Sequence, residues 1–504
     1  MNVLMLAAEV APFTTVGGLS QVIYFLSKSL IRAGHDVRVM TPYYGKLQTR
    51  KHKLHKLIES FSVPTDAVKK TDPESIECSL FLYKKLKPLI YFVGNREYYA
   101  LRENAYGYGD DHQRFYLLCK ATLEWLLMQY ELKEWMPDVI HCHDWHTGYF
   151  IELARTHKRY KKMLRNVPIL YTVHNFRYQG SMDFSFLPPK DRDDGMKKLP
   201  CFFDPKLQGQ NALLRGILNA DWISTVSPTH AVEVLTQEYG EGLEKNLLKR
   251  RGVLSGIING LDTKTFDPTH DPLLTENFSS TTLEKKVINK RALQREFNLT
   301  QDDRVPLIAY VGRLDKQKGL PLILDALPYV IEELGCQFVI LGAGDQQIAN
   351  DFRLLSYKYP KSLGVHLYSN FKLPHKIFAG SDMILMPSLF EPGGIVALEA
   401  MRYGCIPIVR RTGGLADVVE DFNPSTKKGN GFSFAASNSL GLLIAITRAV
   451  EEHKNKKLWQ SLITNAMNHE FTWDTSMKEY VKLYKKLGTL RRQQLSANPN
   501  QAFV

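Results

Sequence analysis

Apolar and polar positions along this chain fall into two rhythms, short buried runs and longer stretches of helical period, and the two take turns. The run Val3-Leu4-Met5-Leu6-Ala7-Ala8 reads as a strand, and Leu19, Val22, Ile23, Leu26 and Leu30 recur on one helical face, predicting a helix over 19–33. Val16-Gly17-Gly18 lies between them, Gly34 closes the helix, and 37–40 reads as the next strand. This is a βαβ unit with a glycine turn at its first strand–helix junction, the opening of a doubly wound fold. Strands at 139–142, 169–173 and 222–226 continue one α/β domain to about Asn259-Gly260-Leu261-Asp262. A polar stretch over 263–304 follows, with a charged helix near 283–297. The alternation then restarts with strands at 307–311, 338–341, 365–367, 383–386 and 406–409, which predicts a second α/β domain. The halves share a design but no fixed-period repeat. The tail over 473–494 reads as a helix with a frayed end at 497–504.

The chain has 504 residues, 44% of them hydrophobic and 23% charged, enough to bury real cores. The net charge of +13 comes from scattered Lys and Arg and from short runs such as His157-Lys158-Arg159-Tyr160-Lys161-Lys162. No nucleic-acid recognition motif accompanies it, so the excess suits an anionic substrate and nucleic acid is not an expected partner. Six cysteines without CxxC spacing read as reduced thiols in a cytoplasmic protein. The apolar start lacks a basic lead and meets Glu9 too early for a signal peptide, and no stretch approaches the roughly 18 apolar residues of a membrane helix.

Candidate chemistry collects where strands end. Gly312-Arg313 through Lys318-Gly319 follows the strand at 307–311 and sets a guanidinium and an ammonium five positions apart, where open α/β sheets bind ligands. Glu391-Pro392-Gly393-Gly394 follows the strand at 383–386 and enters an apolar-periodic helix through two glycines, a natural anion cradle. Glu391 stands before it and Glu399 eight residues on. Two cations and a glycine cradle suit a diphosphate, and two carboxylates suit sugar hydroxyls: a nucleotide-sugar site. Gly342-Ala343-Gly344 has Gln347 where a dinucleotide fingerprint has its third glycine, so it reads as a plain strand–helix turn. His141-Cys142-His143-Asp144-Trp145-His146 suggests a metal at first sight, but it lacks a partner cluster with zinc spacing and reads as the polar floor at a strand end. Asp191-Arg192-Asp193 matches a D-x-D pattern yet reads as a solvated loop. Thr172-Val173-His174-Asn175, followed by Tyr178-Gln179-Gly180, ends a strand of the same sheet edge as Gly17-Gly18 and Asp144, which points to a substrate site.

Ala8-Glu9-Val10-Ala11-Pro12, Gly17-Gly18-Leu19, His143-Asp144-Trp145-His146, Thr172-Val173-His174-Asn175, Ile258-Asn259-Gly260-Leu261-Asp262, Gly312-Arg313 with Gln317-Lys318-Gly319, Glu391-Pro392-Gly393-Gly394 and Gly413-Gly414-Leu415-Ala416-Asp417 together resemble the bacterial glycogen/starch synthases. The resemblance implies a GT-B fold, with two Rossmann-like domains facing across a cleft: 1–260 on the acceptor side, 261–475 on the donor side, and a helix over 476–504 crossing back. It implies retaining transfer of glucose from ADP-glucose or UDP-glucose to the non-reducing end of an α-1,4-glucan, with no metal and no cofactor. By position, Arg313 and Lys318 are implied to neutralise the leaving diphosphate, and Gly17, Gly18, Gly394 and Ile395 to offer backbone N–H groups. Glu391 is implied to hold donor-glucose hydroxyls and Glu399 the ribose, while His174, Asp144 and Asn259 line the glucosyl pocket.

The chain departs from the family pattern in places. Where the family reads Lys-Thr-Gly-Gly-Leu-x-Asp, this chain has Thr15-Val16-Gly17-Gly18-Leu19-Ser20-Gln21, without the lysine and the aspartate. Gly393 stands where bacterial synthases commonly carry Cys, and Glu399 where they often carry an aromatic residue or His. Two other readings therefore stay open: a GT-B transferase for another sugar or acceptor, and a catalytically inactive glucan-binding homologue.

Overall fold

The computed structural model describes residues 1–47, 53–84, 88–184, 187–370 and 372–497; the frayed end lies, from 498 on, outside them. The chain forms two compact units. Unit 1 comprises Met1–Val226, Ala231–Ile257 and Trp473–Val504, and unit 2 comprises Ser227–His230 and Ile258–Thr472.

Unit 1 is built on a nine-stranded sheet of β1 (Asn2–Leu6), β2 (Asp36–Pro42), β3 (His55–Pro64), β4 (Ser75–Tyr83), β5 (Leu89–Gly94), β6 (Val139–His143), β7 (Ile169–Val173), β8 (Trp222–Thr225) and β9 (Leu254–Gly256). Their order is β3-β4-β5-β2-β1-β6-β7-β8-β9. β3, β4 and β5 pair antiparallel and the remaining neighbours parallel. Sequence patterning finds β1, β2, β6, β7 and β8, which are buried along most of their length, β6 and β7 throughout, but passes over β5 and β9. It leaves β3 unread because most of its residues face water and no apolar alternation marks it. The helix Gly18–Arg32 buries Leu19, Val22, Ile23, Leu26 and Leu30, the face expected from their spacing. The C-terminal helix Trp473–Ala497 packs in this unit: Ser29 Oγ and Arg32 Nη2 donate to Asp474 Oδ1 at 2.8 and 2.7 Å, and Arg491 Nη1 donates to Asp221 Oδ1 at 3.1 Å.

Unit 2 carries a six-stranded, all-parallel sheet of β10 (Leu307–Val311), β11 (Gln337–Leu341), β12 (Leu363–His366), β13 (Met383–Met386), β14 (Ile406–Arg410) and β15 (Phe432–Phe434), in the order β12-β11-β10-β13-β14-β15. The expected charged helix starts as a 3-10 turn, Leu283–Lys285, before the α-helix Lys286–Glu296. The segment entering this unit pairs with the one leaving it, as Leu261 N–H donates to Phe471 C=O at 2.7 Å.

Strand order reverses at β1 and β6 in the first sheet and at β10 and β13 in the second. The loops leaving the C-terminal ends of strands at such points diverge to opposite faces and open a crevice. Gly17, Asp144, Arg313, Lys318 and Glu391 lie on those loops, while His174 follows β7 and Asn259 follows β9.

Candidate active site

In unit 2 the loop after β10 is fixed by a close approach. Asp315 Oδ1 caps the 3-10 turn Lys316–Lys318 by accepting from Gln317 N–H at 2.9 Å. Gly319 follows in the left-handed region (φ 71°), and a Cβ there would lie 2.0 Å from the carbonyl oxygen of Pro387, so only glycine brings this turn against the end of β13. The turn then clamps the second loop: Leu389 N–H donates to Gln317 C=O at 2.8 Å, and Gln317 Nε2 donates to Phe390 C=O at 3.0 Å. Arg410 Nη1, from the end of β14, holds Leu389 C=O at 2.7 Å. Between the clamped loops Lys318 Nζ donates to Glu391 Oε2 at 2.6 Å, and Ser388 Oγ donates to the same oxygen at 3.2 Å. Arg313 is 51% exposed, with Nη2 3.2 Å from Gln317 Oε1 and Nη1 3.4 Å from Asp315 Oδ2.

The two glycine pairs are halves of one joint. Gly414 N–H donates to Glu391 C=O at 2.9 Å, a Cβ on Gly413 (φ 45°) would meet that oxygen at 2.2 Å, and a Cβ on Gly414 would meet Gly393 C at 2.5 Å. Gly394 (φ 64°) is the N-cap of the helix Ile395–Arg402. Glu391 is therefore a loop residue, not part of that helix, and Glu399 sits one turn into it. Burial pushes the Glu399 carboxyl up to about 8, with no hydrogen-bond partner among the described residues. Asn259 is 2% exposed, and its Oδ1 is buried without a partner among the described residues.

In unit 1 the loop after β1 is organised by Glu9, 3% exposed. Its carboxyl accepts from Val16 N–H at 2.7 Å, Gly17 N–H at 3.4 Å and Tyr106 O–H at 2.9 Å, and burial pushes it up to about 7. The Gly17 N–H expected to serve a substrate thus turns inward to Glu9; Gly18, the first residue of the helix, is left at the turn. Beside it lies a cavity of about 280 Å³ lined by Thr15, Val16, Lys46, Glu103, Asn104 and Tyr106 among others. Asp144, after β6, has φ 57° and accepts His174 N–H on Oδ1 at 2.7 Å, which ties the ends of β6 and β7 together. Burial pushes Asp144 up to about 7 and His174 down to about 3.

Two family models match the chain: "Starch synthase catalytic domain" over residues 2–249 and "Glycosyl transferases group 1" over 293–486. A curated glycogen synthase of Geobacillus thermodenitrificans is 39% identical over 97% of this chain and 98% of its own length. One of Clostridium novyi is 37% identical over 97% and 99%. Among solved structures, the catalytic domain of starch synthase IV from Arabidopsis thaliana bound to ADP and acarbose aligns with a TM-score of 0.83 and 32% identity, over 97% of this chain and 99% of that one. The chain belongs to the glycogen/starch synthase family. It has the GT-B glycosyltransferase fold and is a hexosyltransferase. A sucrose-phosphate synthase from Thermosynechococcus elongatus, at 17% identity and a TM-score of 0.58, shares the fold.

Unit 2 of this synthase-family chain thus brings Arg313, Lys318, Glu391 and Gly394 onto neighbouring loops, and unit 1 brings Asp144 and His174 together. One expectation is corrected. Asp193 of the D-x-D pattern is no solvated loop residue: its side chain is 6% exposed and paired with the buried Arg215, whose Nε donates to Oδ2 at 2.8 Å. Arg215 also holds Glu152, and a guanidinium so placed keeps two carboxylates out of water. Gly342-Ala343-Gly344 is the expected strand–helix turn, with Asp345 capping the helix Gln346–Lys358. His141 and His143 share a face, their ring centroids 4.0 Å apart. Sequence reasoning passed over Glu9, Gln317 and Arg410 as organising groups. Glu9 carried a readable signal, a carboxylate directly after a buried strand; Gln317 and Arg410 act through backbone carbonyls that no side-chain pattern reveals.

Proposed function

We propose that this chain elongates an α-1,4-glucan at its non-reducing end with glucose from ADP-glucose or UDP-glucose, with retention of configuration. The observation that carries the reading is the Lys318–Glu391 contact with Arg313 alongside, at the strand-reversal point of an all-parallel sheet. In this reading the bond from C1 of glucose to the diphosphate breaks, the acceptor oxygen bonds to C1 on the same face, and its proton leaves on the diphosphate. Arg313 and Lys318 meet the charge growing on that leaving group, and the amides at Gly394 and Ile395 add fixed dipoles. Glu391 orients donor hydroxyls and Glu399 meets the ribose, while His174, Asp144 and Asn259 serve the glucosyl unit. Two kinds of relative support the reading: the curated glycogen synthases, and the starch synthase IV domain, whose solved structure holds ADP and acarbose. We place the enzyme in the cytoplasm, in keeping with six free cysteines.

Radiolabel transfer from a panel of nucleotide sugars to glycogen tests this. Incorporation of glucose from ADP-glucose or UDP-glucose is expected. Incorporation of another sugar alone, or glucan retention without incorporation, overturns it.

A further inference from the structure

A column of buried polar side chains stands behind His174. His141 and His143 project from one face of β6, both 0% exposed, and His143 pairs in register with Thr172 on β7, two residues before His174. Each nitrogen of His141 is engaged, Nδ1 with Tyr484 OH at 2.8 Å and Nε2 with Thr172 Oγ1 at 2.6 Å, which in turn meets Ser224 Oγ at 2.6 Å. His141 therefore has nothing left for its neighbour. His143 Nδ1 instead faces His174 Nε2 at 3.1 Å, and His143 Nε2 is buried with no partner among the described residues.

Two imidazoles meeting nitrogen to nitrogen hold one proton between them when both are neutral. Burial drives His141, His143 and His174 below the ordinary histidine range, so the neutral forms are the ones to consider. If His174 supplied the proton, His143 would carry its own on Nε2 and strand an N–H donor in the core. If His143 supplies it, the stranded group is a bare acceptor, and buried orphan acceptors are tolerated more often than orphan N–H donors.

We propose that His143 is a positioning residue: its Nδ1–H donates to His174 Nε2, so that His174 keeps its own proton on Nδ1 and presents a hydrogen-bond donor to a sugar hydroxyl oxygen. His174 then acts neither as a base nor as a cation. The substrate half of this statement rests on the glucosyl-transfer reading above; the tautomer half does not.

The experiment is nitrogen-15 NMR of the full-length chain labelled at histidine, with the His174 ring signals assigned by their loss in His174→Gln. The expected spectrum shows His174 protonated at Nδ1 and bare at Nε2. His143→Leu should move the proton toward Nε2, and His143→Asn, whose amide N–H can sit where Nδ1 was, should restore the original pattern. In glucosyl transfer, His143→Leu should lower kcat by about tenfold at most, the worth of one neutral hydrogen bond, with little change in acceptor KM and recovery in His143→Asn. A wild-type His174 protonated at Nε2 overturns the proposal even if His143→Leu fails to fold, as does a His143→Leu spectrum that leaves the tautomer unchanged. A protein that transfers no sugar but shows the expected tautomer sinks the function and leaves the positioning intact.

Discussion

Lys318 Nζ lies 2.6 Å from Glu391 Oε2, with the two side chains 21% and 13% exposed. The cation read from the first loop is thus already engaged with the carboxylate read from the second. Removing it leaves an unpaired carboxylate and, in the proposed reading, also loses a contact to the diphosphate. Lys318→Ala should lower turnover by about a hundredfold or more, as loss of a donor worth ~3–4 kcal/mol does, and also lower the melting midpoint. Arg313→Ala should match the loss of turnover with little loss of stability, because that side chain stands half in water. Arg313→Lys should also slow the enzyme, since an ammonium lacks the planar fork. Steady-state kinetics and thermal melts of the three variants check this; near wild-type turnover in Lys318→Ala would remove it from the site.

Gly413→Ala should act on the same carboxylate from behind. The added methyl would lie 2.2 Å from Glu391 C=O on a residue with φ 45°, so the loop bearing Glu391 must move. A shift of this kind should cut kcat by about a hundredfold, with ~1–3 kcal/mol of backbone strain lost from stability. Unchanged kcat would show that the position of Glu391 is immaterial.

Glu399 sets a pH dependence. Its carboxyl is raised from 4.5 to about 8 in the fold, so the native state holds a proton that the unfolded chain releases. Its contribution to stability is complete below about pH 4.5 and is lost as pH rises toward 8, at up to about 1.4 kcal/mol per unit. Glu399→Gln does not titrate, so its melting midpoint should gain on wild type steadily across that interval. Parallel profiles would show that Glu399 ionises freely.

Thr15→Lys should speed transfer or tighten donor binding. Thr15 and Lys46 line the same cavity, but Lys46 shares it with Glu103 and donates to Asn104 Oδ1 at 3.4 Å, so its charge is partly spent there. A charge-assisted contact exceeds a neutral one by ~1–1.5 kcal/mol, a gain of about tenfold in kcat/KM, largest at low salt. No gain with either donor, together with a matching loss in Lys46→Met, would show that Lys46 already fills that place.

Chelators should leave activity unchanged. Both nitrogens of His141 and the Nδ1 of His143 are committed to hydrogen bonds, Asp193 is bound to Arg215, and in the proposed reading Arg313 and Lys318 neutralise the diphosphate. Activity lost in EDTA and restored by manganese or zinc would refute this.

Most parallel strands were legible in the sequence because burial on both faces writes itself as apolar runs: 169–173, 307–311 and 383–386 coincide with β7, β10 and β13, while β5 and the short β9 and β15 were passed over. The antiparallel strands β3 and β4 were not read, since one partner is exposed along most of its length and its pairing depends on residues 11 to 27 positions away, from Pro64 with Ser75 to His55 with Leu82. Placing Arg313, Lys318 and Glu391 at strand ends required only local pattern and the rule for open sheets. The burial of Asp193 and the His143–His174 contact could not be read, because each is set by a partner distant in sequence, 22 and 31 positions away.

The pairing of Leu261 with Phe471 bears on how the gene could be rearranged. The polypeptide passes into unit 2 after Ile257 and leaves it at Trp473, through segments hydrogen-bonded to each other at 2.7 Å. Apart from Ser227–His230, unit 2 is thus a single guest segment spliced into its host with its two ends already touching. A short bridge between those ends would close it on itself, and new termini could be opened at any of its outer turns without cutting through either sheet.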